Sequence, residues 1–275
     1  MTLQGTVTPA IHKPHYNAIN LYYIRSYERG IMKTALITGS SRGIGKAIAL
    51  RLAKEGYKII VHGASESPKL KETADIITNS GGVCETVISD LTDLSKTKEL
   101  CEKIKDKNID VLVLNASIQY RTLWQNITPE ECMEQINCNF ISGMMLIQAA
   151  SDNMIKNKWG RIITIGSVQE AKPHPDMLVY SATKAAQTNM MTSLSLQLAK
   201  NGITVNNVAP GVIYTDRNSE VLSNLDYAKK VTDSIPVGFL GEPEDCAGIV
   251  SLLCSGEGRY ITGQNIFVDG GKSIQ

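Results

Sequence analysis

A tyrosine and a lysine spaced for acid–base chemistry occur in the run Tyr180-Ser181-Ala182-Thr183-Lys184. On a helix, positions i and i+4 lie one turn apart on the same face, so the Lys184 ammonium can act on the Tyr180 phenol. A phenol with its ordinary pKa of about 10 is a poor acid–base catalyst at neutral pH, and a nearby cation lowers that pKa. Ser167 precedes this pair and follows a predicted strand. These residues predict proton transfer to or from a substrate oxygen.

A glycine-rich turn forms the second chemical signal, in Thr38-Gly39-Ser40-Ser41-Arg42-Gly43-Ile44-Gly45. It directly follows a predicted strand and opens a predicted helix. Glycine tolerates the backbone angles of such a reversal and lets backbone N–H groups approach a pyrophosphate at the positive end of the helix. The turn therefore predicts a bound dinucleotide.

The end of the second predicted strand indicates which dinucleotide is bound. NAD-binding proteins usually carry Asp or Glu there for the ribose 2′-hydroxyl, whereas NADP-binding proteins supply a cation for the 2′-phosphate. The strand ends in His62-Gly63-Ala64-Ser65, with no carboxylate before Glu66. Arg42 lies in the glycine-rich turn and can pair with the phosphate, or it is a solvated loop charge. The pattern favours NADP and leaves NAD possible.

Strand-length apolar runs alternate with helix-length segments along most of the chain. We predict strands at 33–37, 58–62, 83–88, 110–114, 161–166, 203–208 and 264–268. We predict helices at 43–55, 69–79, 93–106, 129–157, 178–200 and 243–254. Almost fully apolar strands joined by helices predict a parallel sheet buried on both faces. The fold class is therefore a single-domain, doubly wound α/β fold with a seven-stranded parallel Rossmann sheet and helices on both faces.

Composition excludes several other functions. Lys plus Arg (28) against Asp plus Glu (27) gives a net charge of +1, which favours neither nucleic acid nor an anionic membrane. No apolar run approaches the ~20 residues of a membrane-spanning helix. The six cysteines show neither Cys-x-x-Cys nor zinc-ligand spacing, so we predict no metal site and free thiols in a reducing compartment, the cytoplasm.

Residues 1–31 differ from the remainder, with one acidic residue, four of the ten tyrosines and two of the four histidines. Met32 directly precedes the first predicted strand, so translation could begin there. We interpret 1–31 as a nonessential leader and 32–275 as the catalytic, dinucleotide-binding domain; a tail that folds over a neighbouring subunit is the alternative.

Several motifs in order resemble the short-chain dehydrogenase/reductase family. They are the glycine-rich turn, Asn115-Ala116, Asn139, Ser167, Tyr180-x-x-x-Lys184, Pro210-Gly211 and the closing Tyr260 to Gly271. The resemblance runs from about Met32 to Gly271 and is nearest to bacterial 3-oxoacyl-acyl-carrier-protein reductases and to sugar or polyol dehydrogenases. One departure is Ser117, which stands where the family usually has glycine after Asn-Ala and could crowd the cofactor ribose.

The resemblance implies catalytic roles for four residues. Tyr180 would be the general acid in reduction and the general base in oxidation, and Lys184 would lower its pKa and bind the nicotinamide ribose. Ser167 would donate a hydrogen bond to the substrate oxygen. Asn139 would support a water relay to Lys184; without the resemblance it reads as a helix-surface amide.

The cofactor residues carry over likewise. They are Gly39, Ser41, Arg42, Gly43, Ile44, Gly45, Gly63, Ala64, Ser65, Asp90, Leu91, Asn115, Ala116, Tyr180, Lys184, Pro210, Gly211, Ile213 and Thr215. Of these, the 210–215 segment would pass beside the nicotinamide carboxamide. Asp90 could instead be a helix cap.

The substrate pocket is expected from segments 117–124 and 168–178 and from a mobile stretch, 212–235. Their polar side chains are Gln119, Tyr120, Arg121, Gln169, Glu170 and His174, and we assign Gln119, Gln169 and Tyr180 to the substrate. A pocket this polar favours a sugar, polyol or keto acid.

Two alternatives remain for the function. A 3-oxoacyl-acyl-carrier-protein reductase would need a basic docking rim, to which Lys156, Lys158 and Arg161 could contribute. A noncatalytic NADP(H) sensor would not need Ser167, Tyr180 and Lys184 together. The family resemblance also implies a homotetramer in which helices 129–157 and 178–200 pair across subunits.

Overall fold

The computed structural model describes residues 32–275, and residues 33–275 form one compact unit. The predicted leader, 1–31, lies outside the described residues. In the described part of the chain, seven parallel strands form one sheet in the order β3-β2-β1-β4-β5-β6-β7. The strands are β1 (Thr34–Ile37), β2 (Lys58–Gly63), β3 (Cys84–Ile88), β4 (Ile109–Leu114), β5 (Gly160–Ile165), β6 (Ile203–Pro210) and β7 (Asn265–Val268). This confirms the predicted fold class.

Helices connect these strands and cover both faces of the sheet. They are α1 (Gly43–Lys54), α2 (Pro68–Asn79), α3 (Leu94–Lys105), α4 (Pro129–Ile136), α5 (Ser142–Asn157), α6 (Leu178–Leu198), α7 (Ser219–Leu222), α8 (Leu225–Asp233) and α9 (Pro243–Cys254). α1 packs against α9, and α3 packs against α5. None of the helices in residues 32–275 is long and apolar enough to cross a membrane.

Burial explains why the inner strands are apolar. Every residue of β1, β5 and β6 is buried, as a parallel sheet covered on both faces requires. One face packs around Leu36, Leu112 and Ile162 in a continuous cluster with residues of α3, α5 and α6. The outer strand β3 is only half-buried, because helices cover an edge strand less completely.

Two segments differ from the sequence prediction. The predicted helix 129–157 is interrupted by a π-helical turn, Asn137–Ile141, between α4 and α5. The stretch 212–235, for which no helix was predicted, contains the short helices α7 and α8. The remaining predicted boundaries agree with the structure within two residues.

The reversal of strand order occurs between β1 and β4. From β1 the chain first builds outward to β2 and β3, and then crosses back to β4 on the other side. In such sheets, a crevice forms beyond the carboxyl ends of the strands at this switch point. The glycine-rich turn after β1 and Asn115-Ala116 after β4 therefore meet there.

Candidate active site

The glycine-rich turn is held against the end of β4 by hydrogen bonds. The Thr38 hydroxyl accepts from the backbone N–H groups of Asn115 and Ala116, at 2.9 and 3.0 Å. The Asn115 amide donates to the carbonyl oxygens of Thr38 and Gly39, at 3.0 and 2.9 Å. Asn115 therefore shapes the turn from the neighbouring strand.

Two glycines of this turn have steric reasons to be glycine. Gly39 has φ +64°, and a Cβ atom there would lie 2.9 Å from the Ala116 Cα atom. A Cβ atom on Gly45 would lie 2.4 Å from the Gly39 carbonyl oxygen. The turn can therefore pack closely against the end of β4 only because neither position carries a side chain.

The amino end of α1 fits the pyrophosphate of a dinucleotide. No side chain of residues 32–275 caps this helix, whereas Ser67, Asp93 and Thr128 cap α2, α3 and α4. The first N–H groups of an uncapped helix are available to an anion. The residues present therefore fit the predicted cofactor.

A cleft of about 580 Å³ joins this turn to the predicted catalytic residues. Ser167, Tyr180 and Lys184 line it, as do Gln119 and Gln169. Of the predicted cofactor residues, it is lined by Gly39, Ser41, Arg42, Gly43, Ile44, Gly63, Ala64, Asp90, Leu91, Asn115, Ala116, Tyr180, Lys184, Pro210, Gly211, Ile213 and Thr215. Gly45 and Ser65 do not line the cleft; Gly45 packs under the turn, and Ser65 is exposed.

Tyr180 and Lys184 lie one turn apart on α6, and both are buried. The Lys184 Nζ atom lies 5.7 Å from the centre of the Tyr180 ring and donates to the Ile165 carbonyl oxygen at 2.7 Å. Burial lowers the pKa of Lys184 to about 8, and the nearby Arg217 charge acts in the same direction. The ammonium is thereby fixed beside the end of β5.

The pKa of Tyr180 differs from the sequence-based expectation. In this structure, burial raises the pKa of the phenol, and the Arg217 charge followed by the Ser167 hydroxyl opposes that effect. We expected Lys184 to be the cation that lowers this pKa. Arg217, which the sequence analysis missed, exerts the principal lowering effect because its guanidinium faces the same cleft.

Asn139 lies in the π-helical turn and is buried, so it is not a helix-surface amide. Its Oδ1 atom accepts from the Ile118 N–H at 2.9 Å, and its Nδ2 atom donates to the Ile118 carbonyl oxygen and to the Thr183 hydroxyl. The side chain therefore lies behind the cleft and holds the segment after β4. The predicted water relay stays a prediction.

Other predicted residues are placed differently. Gln119, Arg121, Gln169 and His174 line the cleft, whereas the Tyr120 hydroxyl donates to Glu134 at 2.7 Å. Glu170 accepts from Thr188, Asn207 and Asn265 instead of facing the cleft. Asp90 forms a turn with Thr92, and Asp93 is the helix cap.

Further residues complete the cleft. Leu222, Tyr227 and Val231 come from 212–235, which was predicted to line the pocket without these side chains being singled out. Lys272, which was not predicted, comes from the chain end. The helical spacing of 225–233 was the available signal for α8. For Lys272 no local signal exists, because only the fold brings the chain end to the cleft.

The prediction that Arg161 contributes to a basic docking rim is wrong. This side chain is fully buried, with its guanidinium 4.5 Å from the centre of the Trp159 ring. Lys156 and Lys158 precede β5 and so lie at the amino edge of the sheet, opposite the cleft. A macromolecular partner at the cleft would not meet these cations.

Comparison with known proteins identifies the family. The family model for short chain dehydrogenases matches residues 33–226. A 3-oxoacyl-[acyl-carrier-protein] reductase of Rickettsia conorii is 37% identical over 239 residues, which cover 87% of this chain and 96% of the relative. The corresponding reductase of Staphylococcus aureus is 35% identical over 241 residues, covering 87% of this chain and 97% of the relative.

Solved structures with bound NADP are similar as well. A Beutenbergia cavernae protein described as an NAD(P)-dependent gluconate 5-dehydrogenase, with NADP at low occupancy, has a TM-score of 0.84 and 31% identity over 88% of this chain and 97% of that chain. A 3-oxoacyl (acyl-carrier-protein) reductase of Agrobacterium tumefaciens with NADP bound has a TM-score of 0.83 and is 33% identical. The match covers 93% of this chain and 99% of that chain. The chain therefore belongs to the short-chain dehydrogenase family of NAD(P)-dependent oxidoreductases that act on CH–OH groups.

Proposed function

We propose that this protein uses NADP(H) to interconvert a carbonyl and a secondary alcohol on a small polar substrate, such as a sugar, polyol or keto acid. The observation that carries the proposal is the cleft that joins the glycine-rich turn to Ser167, Tyr180 and Lys184. When bound, the nicotinamide cofactor supplies or accepts the hydride.

Residue chemistry at the β2 end supports NADP over NAD. Gly63 and Ala64 line the cleft there, and no carboxylate occupies the 63–65 segment. Arg42 and Lys69 both face the carboxylate of Asp216, so two cations gather near this end of the cleft. A 2′-phosphate would find opposite charge there, and the solved relatives with bound NADP agree with this assignment.

The three polar residues divide the proton chemistry. In reduction, the Tyr180 phenol donates its proton to the substrate oxygen, and in oxidation the phenolate accepts it. Ser167 donates a hydrogen bond to the same oxygen as negative charge develops on it. Lys184, fixed by the Ile165 carbonyl, presents its charge beside the phenol and the cofactor ribose. Asn139 holds Ile118 and so keeps the adjoining wall in place.

The substrate assignment depends on the polarity of the cleft wall. The cleft is lined by the polar side chains of Gln119, Arg121 and His174, and by Gln169, whose Oε1 atom accepts from the His174 N–H. Such groups suit hydroxyl and carboxylate oxygens better than a long acyl chain. One relative is described as a gluconate 5-dehydrogenase, which agrees with this class.

A 3-oxoacyl-acyl-carrier-protein reductase is the second candidate. It is favoured by the curated relatives of that name, at 35 to 38% identity over 87% of the chain. A homotetramer is part of either proposal.

The test is oxidation of NADPH and of NADH by wild type and Tyr180→Phe, with 5-ketogluconate, fructose and an acetoacetyl thioester as substrates. We expect NADPH-dependent turnover of the sugar compounds, and a loss of about 10²- to 10⁴-fold in kcat/KM in Tyr180→Phe with NADPH binding retained. Tyr260→Phe, at a tyrosine that is 97% exposed, is the control and should match wild type.

The other results point to the other candidates. Turnover of the thioester alone would assign the acyl-carrier reaction. NADPH binding without turnover of any of the three carbonyl compounds would favour the sensor and count against the proposed enzyme.

A further inference from the structure

Arg217 bridges the two sides of the cleft. It lies in the turn between β6 and α7, and its Nη2 atom donates to the Ser117 carbonyl oxygen at 2.8 Å. Its Nη1 atom donates to the Ser117 hydroxyl at 3.3 Å. Ser117 directly follows Asn115-Ala116 after β4, and both Arg217 and Ser117 line the cleft. The guanidinium is thus held from the opposite wall by a residue that replaces the usual glycine.

The charge of Arg217 affects the pKa values of Tyr180 and Lys184. It is the first opposing influence on the raised pKa of Tyr180, and it helps to lower the pKa of Lys184. The geometric counterpart of this influence is that Arg217 lines the same cleft as Tyr180 and Lys184.

No carboxylate among the described residues forms an ion pair with Arg217. The adjacent carboxylate, Asp216, pairs with Lys69 and lies 4.0 Å from an Arg42 nitrogen. A guanidinium has five N–H donors, and its two bonds to Ser117 leave further donors for a planar anion. The cations that line the cleft, which include Arg121 and Lys272, outnumber its two carboxylates, Asp90 and Asp216.

The geometry points to Arg217 as the residue that binds a carboxylate of the substrate, so that the substrate class narrows to small keto acids and hydroxy acids. This inference rests on the proposed function, from which it takes the reaction. It adds a binding site for the substrate carboxylate. Ser117 is a positioning residue, because its two oxygens fix the guanidinium. The cofactor pyrophosphate is the other anion that the same guanidinium could meet.

The first experiment measures binding, which does not require turnover. Gluconate and its uncharged counterpart glucitol are titrated by calorimetry into protein saturated with NADPH, the cofactor form with which an alcohol cannot react, for wild type, Arg217→Met and Arg217→Lys. We expect gluconate affinity to fall about tenfold or more in Arg217→Met and to recover partly in Arg217→Lys, with glucitol affinity unchanged. Arg259→Met, at an exposed arginine before β7, is the matched control and should equal wild type.

The second experiment measures discrimination in turnover. The ratio of kcat/KM for 5-ketogluconate to that for fructose should fall about tenfold or more in Arg217→Met, mainly through KM. A general effect on the Tyr180 pKa would change both substrates alike and leave this ratio constant. Ser117→Gly should lower the ratio by a smaller factor, because one of the two bonds to the guanidinium remains.

Three results would overturn the inference. The first is equal gluconate binding in wild type and Arg217→Met, and the second is no measurable gluconate binding by the NADPH-saturated wild type. The third is a matching loss of NADPH affinity in Arg217→Met, which would make Arg217 a cofactor contact. If wild type reduces none of the carbonyl compounds but binds gluconate through Arg217, the proposed function fails while the anion site stands.

Discussion

His62 fixes the glycine-rich turn from the end of β2. Its Nδ1 atom accepts from the Gly39 N–H at 3.1 Å, and its Nε2 atom lies 3.0 Å from the Ser89 carbonyl oxygen. The first contact requires an unprotonated Nδ1 and the second a proton on Nε2, so the ring is neutral with one tautomer. Burial lowers the pKa of His62 to about 4, consistent with this arrangement.

This lowered pKa predicts acid sensitivity. An unfolded histidine binds a proton near pH 6.5, whereas the folded one does so near pH 4, so stability is complete above about 6.5 and is lost as the pH falls toward 4. From pH 7 to 4.5, we expect His62 to remove about 2–3 kcal/mol from the free energy of unfolding.

Urea unfolding at both pH values measures this loss. His62→Asn keeps an oxygen acceptor for Gly39 but has no group that titrates in this range. The fall between the two pH values should therefore be smaller in the variant by about the same 2–3 kcal/mol. Parallel pH profiles for wild type and the variant would contradict the assignment.

At the scale of elements, the π-helical turn orients Asn139 toward Ile118. An extra residue in the helix rotates the side chains that follow it, and Asn139 thereby reaches both backbone groups of Ile118. A regular helix over 129–157, as the sequence predicted, would place Asn139 in a different orientation.

Asn139→Ala should therefore be strongly destabilising. It leaves the partly buried backbone groups of Ile118 without the Asn139 partner, for an expected loss of about 2–4 kcal/mol in the free energy of unfolding. Asn153→Ala is the matched control, because Asn153 in α5 donates one bond to the Ile109 carbonyl oxygen, and it should cost only about 1 kcal/mol. Equal losses of unfolding free energy for the two variants, measured by urea unfolding, would show that the Ile118 contacts contribute no more than one ordinary hydrogen bond.

The residue after the end of α5, Lys158, has a strained backbone conformation that a substitution can relieve. Lys158 has φ +53° and ψ +34°, in the left-handed region that disfavours a side chain. The N–H groups of Lys158 and Trp159 donate to Ile155 and Met154, which is the pattern of a Schellman motif.

Lys158→Gly should raise the free energy of unfolding by about 0.5–1 kcal/mol, because glycine adopts this conformation without strain. Lys156→Gly, two residues earlier within the exposed face of α5, should lower it by about 1 kcal/mol. Thermal or urea unfolding of the pair provides the comparison. The same sign for both variants would refute the explanation.

At the scale of the whole molecule, the proposed homotetramer would cover apolar side chains on the two long helical segments. Leu196 on α6 is 81% exposed and Met144 on α5 is 38% exposed. Large apolar side chains exposed on such helices are typical of an interface between subunits.

We expect wild type to elute as a tetramer in size-exclusion chromatography with light scattering, and Leu196→Glu or Met144→Glu to shift it to smaller species. A buried, unpaired charge in each symmetric interface would destabilise assembly. Leu225→Glu, at an equally exposed leucine outside these helices, should leave the mass unchanged. A monomeric wild type, or no shift in either interface variant, would contradict the prediction.

Local sequence patterns were sufficient to predict the fold and the main chemical signals. Short apolar strands, helical spacing and the glycine-rich turn are local patterns, because burial on both faces and a strand-to-helix reversal each constrain neighbouring residues. The sequence also predicted that Ser167, Tyr180 and Lys184 lie close together, because the carboxyl ends of parallel strands meet at one edge of the sheet.

Which side chains face the cleft could be read only from the packed fold. Arg217 meets Ser117 across 100 positions of the chain, Asn139 holds Ile118, Glu170 turns away to Asn265, and Arg161 is buried against Trp159. No local pattern records such pairs, because each depends on how separate elements pack and on which face each side chain then occupies. The physical reason is that sequence periodicity specifies burial of a face, whereas partners across the fold are fixed by packing.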